Sequence, residues 1–85
     1  MISNTGLNIE HGIKAFVQLG QMSNDTEDIK EALSRILEFN SNIYLLQRSN
    51  SLIDDEVIYL RDMIDKESRE IALKIRANIL RQLGN

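Results

Sequence analysis

The chain contains neither cysteine nor proline, and each absence removes a class of protein. Without cysteine there is no disulfide framework and no thiolate metal site, and the chain suits a reducing compartment. Without proline, loop-rich and β-rich folds lose a common turn residue, while long uninterrupted helices become easy to build. Tryptophan is also missing, aromatics reach only 5% of residues, and the single histidine, His11, cannot form an imidazole cluster. His11 is expected at the surface. No run approaches the roughly 20 apolar residues of a membrane span. The first residues lack the basic segment and apolar stretch of a secretory signal. The expectation is a soluble, cytoplasmic protein with no membrane partner.

What is present is a short chain, 85 residues with 42% apolar content. That content is normal for a folded domain and argues against wholesale disorder. The size permits one domain with a small core, which regular helix packing or association with another chain must supplement. Leucine and isoleucine dominate the apolar set, as in helical bundles. The isoleucine and asparagine content suggests a bacterial or phage source. Charge is unevenly spread. Residues 1–65 hold eleven acids against five bases, whereas residues 66–85 hold five bases against two acids.

Periodicity predicts an all-α fold of three helices, with residues 1–7 as a flexible arm. A first helix is expected over about 8–19, capped by Asn8, weakened by Gly12 and stopped by Gly20. A second, over about 25–48, starts at Asp25 or Thr26. It carries Ile29, Ala32, Ile36, Phe39, Ile43 and Leu46 at alternating steps of three and four, the seam pattern of packed helices. A third, over about 54–83, starts at Asp54, with Ile53 and Ile58 placed as a hydrophobic staple. Its stripe is Val57, Leu60, Ile64, Ile71, Ile75 and Ile79, with Ser68 as a polar interruption. Five acid-before-base pairs four residues apart support the helices: Glu10–Lys14, Glu31–Arg35, Asp62–Lys66, Asp65–Arg69 and Glu70–Lys74. The polar break at Arg48-Ser49-Asn50-Ser51 turns the last two helices into a long antiparallel hairpin. The result is a three-helix bundle or a dimeric four-helix bundle.

The end of the third helix points outward. Leu73, Ala77 and Leu80 follow helical spacing on nearly the opposite side from Ile71, Ile75 and Ile79. A helix that is apolar on two faces needs two neighbours. The second face must therefore meet the first helix, a second copy, or another protein. Leu45, outward on the second helix, and the bases Arg76 and Arg81 complete the expected partner or oligomer interface. Lys66, Arg69 and Lys74 have acids four residues back, and bases are favoured at helix C-termini in any case. With the whole chain acidic and no helix-turn-helix spacing, nucleic acid is not the expected partner.

Chemistry is equally sparse. There is no nucleophile–base constellation, no phosphate-binding glycine loop and no calcium-loop alternation. The clusters Asp54-Asp55-Glu56 and Asp62/Asp65 read as helix caps and solvated charges. Arg35, Arg48 and Arg61 are the candidates for a helical site built from converging bases, but nothing in their spacing requires it. No catalytic residue, cofactor, metal or small-molecule substrate is assigned. The expected role is that of a small non-enzymatic interaction protein: a regulator, inhibitor or chaperone-like adaptor. The alternative is a self-assembling helical dimer with a structural or nucleic-acid-associated role.

Overall fold

The computed structural model describes residues 2–84 and shows three helices packed against each other with no strand among them. They are α1 (Asn4–Met22), α2 (Thr26–Arg48) and α3 (Asp54–Leu83). Contacts fix their directions. Ser3 meets Glu56 at one end and Gly20 meets Lys74 at the other, so α1 and α3 run parallel, with α2 antiparallel to both. The molecule is a rod 51 Å long and 18 Å by 15 Å across.

A seven-residue repeat of buried positions builds the core. Gly6, Ile13 and Gly20 lie on α1, Ile29, Ile36 and Ile43 on α2, and Val57, Ile64, Ile71 and Asn78 on α3. Seven residues are close to two helical turns, so each set stays on one side of its helix and stacks in layers with the others. Isoleucine occupies most layers. Leu60 and Leu52 fill between them.

α1 departs most from expectation. It starts at Asn4 rather than Asn8, and it continues past Gly20 to Met22. Residues 2–7 are therefore no arm; Met1, the first residue of the expected arm, lies outside the described residues. Ser3 is the cap, its hydroxyl accepting from the Gly6 amide at 3.0 Å, and Asn8 is an exposed mid-helix residue. Gly20 is helical and buried because α3 passes close by: a Cβ there would lie 2.8 Å from the Ile71 side chain. Gly12 likewise makes room for the Phe39 ring, which a Cβ would approach to 2.7 Å. Both glycines set the approach of α1.

The α2–α3 turn is a Schellman motif. Asn50 takes a left-handed φ of 60°, its amide donates to Gln47 O, and the Ser51 amide donates to Leu46 O. The start of α3 shifts by one residue from expectation. Ile53 holds the cap position and Asp54 is the first helical residue. The staple positions then fall on Leu52 and Val57, both buried in the core, rather than on the exposed Ile53 and Ile58.

Candidate protein-docking face

Lengths and caps decide which parts of α3 are covered. α1 lies in one of the two grooves between α2 and α3. Its C-terminal end meets α3 through polar contacts. The Lys74 ammonium donates to Gly20 O at 2.9 Å and also to Gln21 O, which serves carbonyls left open at the end of α1. Asn78 is buried, and its amide donates to Asn24 O in the α1–α2 turn at 3.4 Å. That bond ties the α1–α2 turn to α3. The core stripe therefore ends on an asparagine, and Ile79, expected to continue it, is partly exposed. Beyond Asn78, α3 extends about 7 Å past the turn.

The second apolar face is left uncovered. Leu73 is 59% exposed and Leu80 57% exposed, and Ala77 between them is also exposed. An intramolecular cover by α1 is thereby ruled out for these residues. Leu83, 78% exposed, extends the same region toward the tip. Arg76 is exposed on the flank, with no ion pair among the described residues. Arg81 departs from the expected interface, because its guanidinium turns back to donate to Asn78 Oδ1. Leu45 is exposed but stands at the opposite end of the rod, beside the Schellman turn. Helix rise places it more than about 30 Å along the axis from Leu80. It belongs to a different surface.

The opposite end of the bundle holds a carboxylate network that the sequence pattern did not reveal. Glu56 Oε2 accepts from the Ser3 amide at 2.9 Å and from the Ser3 hydroxyl at 2.6 Å, and Oε1 accepts from the Ile53 amide at 3.4 Å. One side chain thus serves the caps of both α1 and α3. The Ser3 hydroxyl, then the Ser3 amide, holds the Glu56 carboxyl below the ordinary carboxylate range, against the opposing effect of burial. Nearby, the Tyr59 phenol donates to the buried Glu10. That hydrogen bond, with burial and the Glu10 charge behind it, pushes the Tyr59 phenol above its ordinary value. Gly6 is the glycine this network needs, since a Cβ there would collide with Glu56 Oε2. Of this network only the Ser3 cap has a local signal in the sequence, since Ile2 and Leu7 stand at the staple positions around it.

Ile2, Glu10, Ile53, Asp55, Glu56 and Tyr59 line a shallow cleft around this network. Two of its three carboxylates, Glu10 and Glu56, are committed to internal partners, which is the arrangement of a structural tie. Among the described residues, no group of three or more histidine or acidic side chains is arranged to hold a metal ion. The three candidate arginines are not gathered together. Arg35 pairs with Glu31 and Glu38 midway along α2, Arg48 donates to the Tyr44 hydroxyl at its end, and Arg61 is exposed on α3. Among the described residues, no helix is long and apolar enough to cross a membrane.

Among known proteins, no family model, no curated protein and no solved structure matches this chain.

Proposed function

We propose that this protein is a non-enzymatic interaction module, a regulator, inhibitor or chaperone-like adaptor, that works by presenting the outer face of the last turns of α3 to another protein chain. The observation that carries the reading is the uncovered row Leu73, Ala77 and Leu80 on a helix whose inner side is already packed. Apolar side chains at this spacing are the anchors of helix-mediated recognition. A contiguous exposed apolar face on a small domain marks a contact surface more often than a scatter of single leucines does. Glu56 is occupied in capping and Glu10 in accepting from Tyr59, which supports a scaffold role for that end.

The test compares two ends of the rod. Wild type, a Leu73→Asp/Leu80→Asp variant and a Leu45→Asp variant are used as bait in extract from the source cell. Interaction through α3 predicts a discrete protein retained by wild type and Leu45→Asp and lost from the double variant. Equal retention by all three overturns the assignment of the face.

A further inference from the structure

We propose that the chain covering this face is a second copy of the same protein, laid antiparallel along α3 about a two-fold axis near the middle of the helix. The inference rests on the reading of the α3 outer face as an interaction surface and names its occupant.

Charge along α3 selects this arrangement. In the first half of the helix the exposed ionic residues are Asp54, Asp55, Asp62 and Asp65 against Arg61. In the second half they are Lys66, Arg69 and Arg76 against Glu70, with Arg81 turned back to Asn78. Half-buried Glu67 lines the groove with α1, and Lys74 is bound to α1 carbonyls. The exposed face is thus acidic toward one end and basic toward the other. A parallel pairing, or a contact between two tips, sets like charge on like charge. An antiparallel pairing sets each acidic half on a basic half, twice, because a two-fold contact is self-complementary.

The charges are available for this. Ion pairs within 4 Å form on α1 and α2, where Glu10–Lys14 closes to 3.7 Å and Glu31–Arg35 to 3.0 Å. None forms on α3 among the described residues: Asp62–Lys66, Asp65–Arg69 and Glu70–Lys74, expected from spacing, all stay open. With the axis at Arg69, Asp62 of one copy lies over Arg76 of the other and Leu80 lies over Ile58, which is 59% exposed, while Leu73 falls opposite Asp65 and Ala77 opposite Arg61. The two Arg69 side chains then meet at the axis, with an Asp65 carboxylate from each copy beside them.

Spacing also fits a helix pair. Asp55, Asp62, Arg69, Arg76 and Leu83 recur every seven residues, as do Tyr59, Lys66, Leu73 and Leu80. Together they step by four and three along the whole outer face, with charged residues at five of the nine positions and apolar ones at Tyr59, Leu73, Leu80 and Leu83, so ion pairs carry most of this pairing. A strip about 45 Å long and about 10 Å wide gives on the order of 450 Å² per copy, or about 900 Å² in total, the size of a weak, transient contact and below that of a stable one. The dimer is therefore expected to dissociate in the micromolar range and to weaken with salt.

Sedimentation equilibrium on wild type, Asp62→Lys, Arg76→Glu and an equimolar mixture of the two variants tests the proposal. Wild type should dimerise at about 100 μM, well above a micromolar dissociation constant. Each variant alone should bind itself at least about ten-fold more weakly, since every two-fold contact then carries two repulsive pairs. The mixture should recover the dimer. There the lysine introduced in one variant meets the glutamate introduced in the other, and the unchanged Asp62 meets the unchanged Arg76. A monomeric wild type, unimpaired variants, or a mixture that stays monomeric would each overturn it. A monomeric wild type whose partner capture still depends on Leu73 and Leu80 would remove the self-partner alone and leave the interaction reading standing.

Discussion

The two ends of the rod finish their helices in opposite ways. At the Glu56 end, the starts of α1 and α3 and the turn between α2 and α3 are tied inward. One carboxylate holds the caps of α1 and α3, Tyr59 holds Glu10, and a Schellman turn closes α2. At the Lys74 end, the Lys74 and Asn78 side chains donate to carbonyls of the end of α1 and the α1–α2 turn, and α3 then runs on past it with leucines outward. The first end uses polar groups to complete the fold. The second uses apolar groups that the fold does not need, and that difference is the basis for assigning the two ends different roles.

Neighbouring residues on α3 give the sharpest way to break this comparison. Ile71 is buried in the core and Leu73, two positions on, is uncovered. Ile71→Ala should cost about 2–5 kcal/mol by lost burial and cavity formation, while Leu73→Ala should stay within about 0.5 kcal/mol of wild type. Urea unfolding at low protein concentration measures both. Comparable losses at the two sites would erase the distinction between packed and presented faces.

Next in size is the tie at the Glu56 end. Ser3→Ala removes the cap of α1 and a donor to Glu56, and should cost about 1 kcal/mol. The same tie predicts a pH dependence. The folded Glu56 carboxyl is depressed, so its contribution is complete above the ordinary glutamate range near pH 4.3–4.5. It is lost as pH falls through the lower folded value, because the unfolded chain then takes up the proton first. Stability measured between neutral and acid pH should therefore fall less steeply for Glu56→Gln than for wild type. Parallel curves would show that Glu56 is not held as described.

At the other end, Lys74→Met keeps the aliphatic stem and removes the donor to Gly20 O and Gln21 O. The ammonium is partly exposed, so the loss should be modest, about 0.5–1 kcal/mol. Amide exchange should show it as earlier opening of the last turn of α1. A loss confined to the α2–α3 turn would contradict the assignment.

Much of this contrast was legible in the sequence, and the exceptions share a cause. α2 and α3 announce themselves because branched apolar residues mark their seams, and the two-sided pattern at Leu73, Ala77 and Leu80 survives intact as an uncovered face. α1 was foreshortened because two of its three core layers are glycines. Gly20 reads as a stop in one dimension and as a close approach to Ile71 in three. The Ser3–Glu56 contact joins residues 53 positions apart, a pairing that no local spacing rule encodes. Leu45 joined the candidate interface on wheel angle alone, which ignores position along the axis. Arg81 left it because an asparagine three residues back offered a nearer acceptor.

The central claim is that nothing within the chain covers the outer face of α3. Urea unfolding of the Leu73→Asp/Leu80→Asp variant at submicromolar concentration, where association is negligible, tests it most directly. The account predicts an unchanged slope and a loss of no more than about 1.5 kcal/mol, the cost of aspartate's lower helix propensity and of acid near a helix C-terminus. A loss of about 2 kcal/mol or more, the size expected when charge is forced into a packed contact, would contradict it, because it would show that the folded monomer buries those leucines.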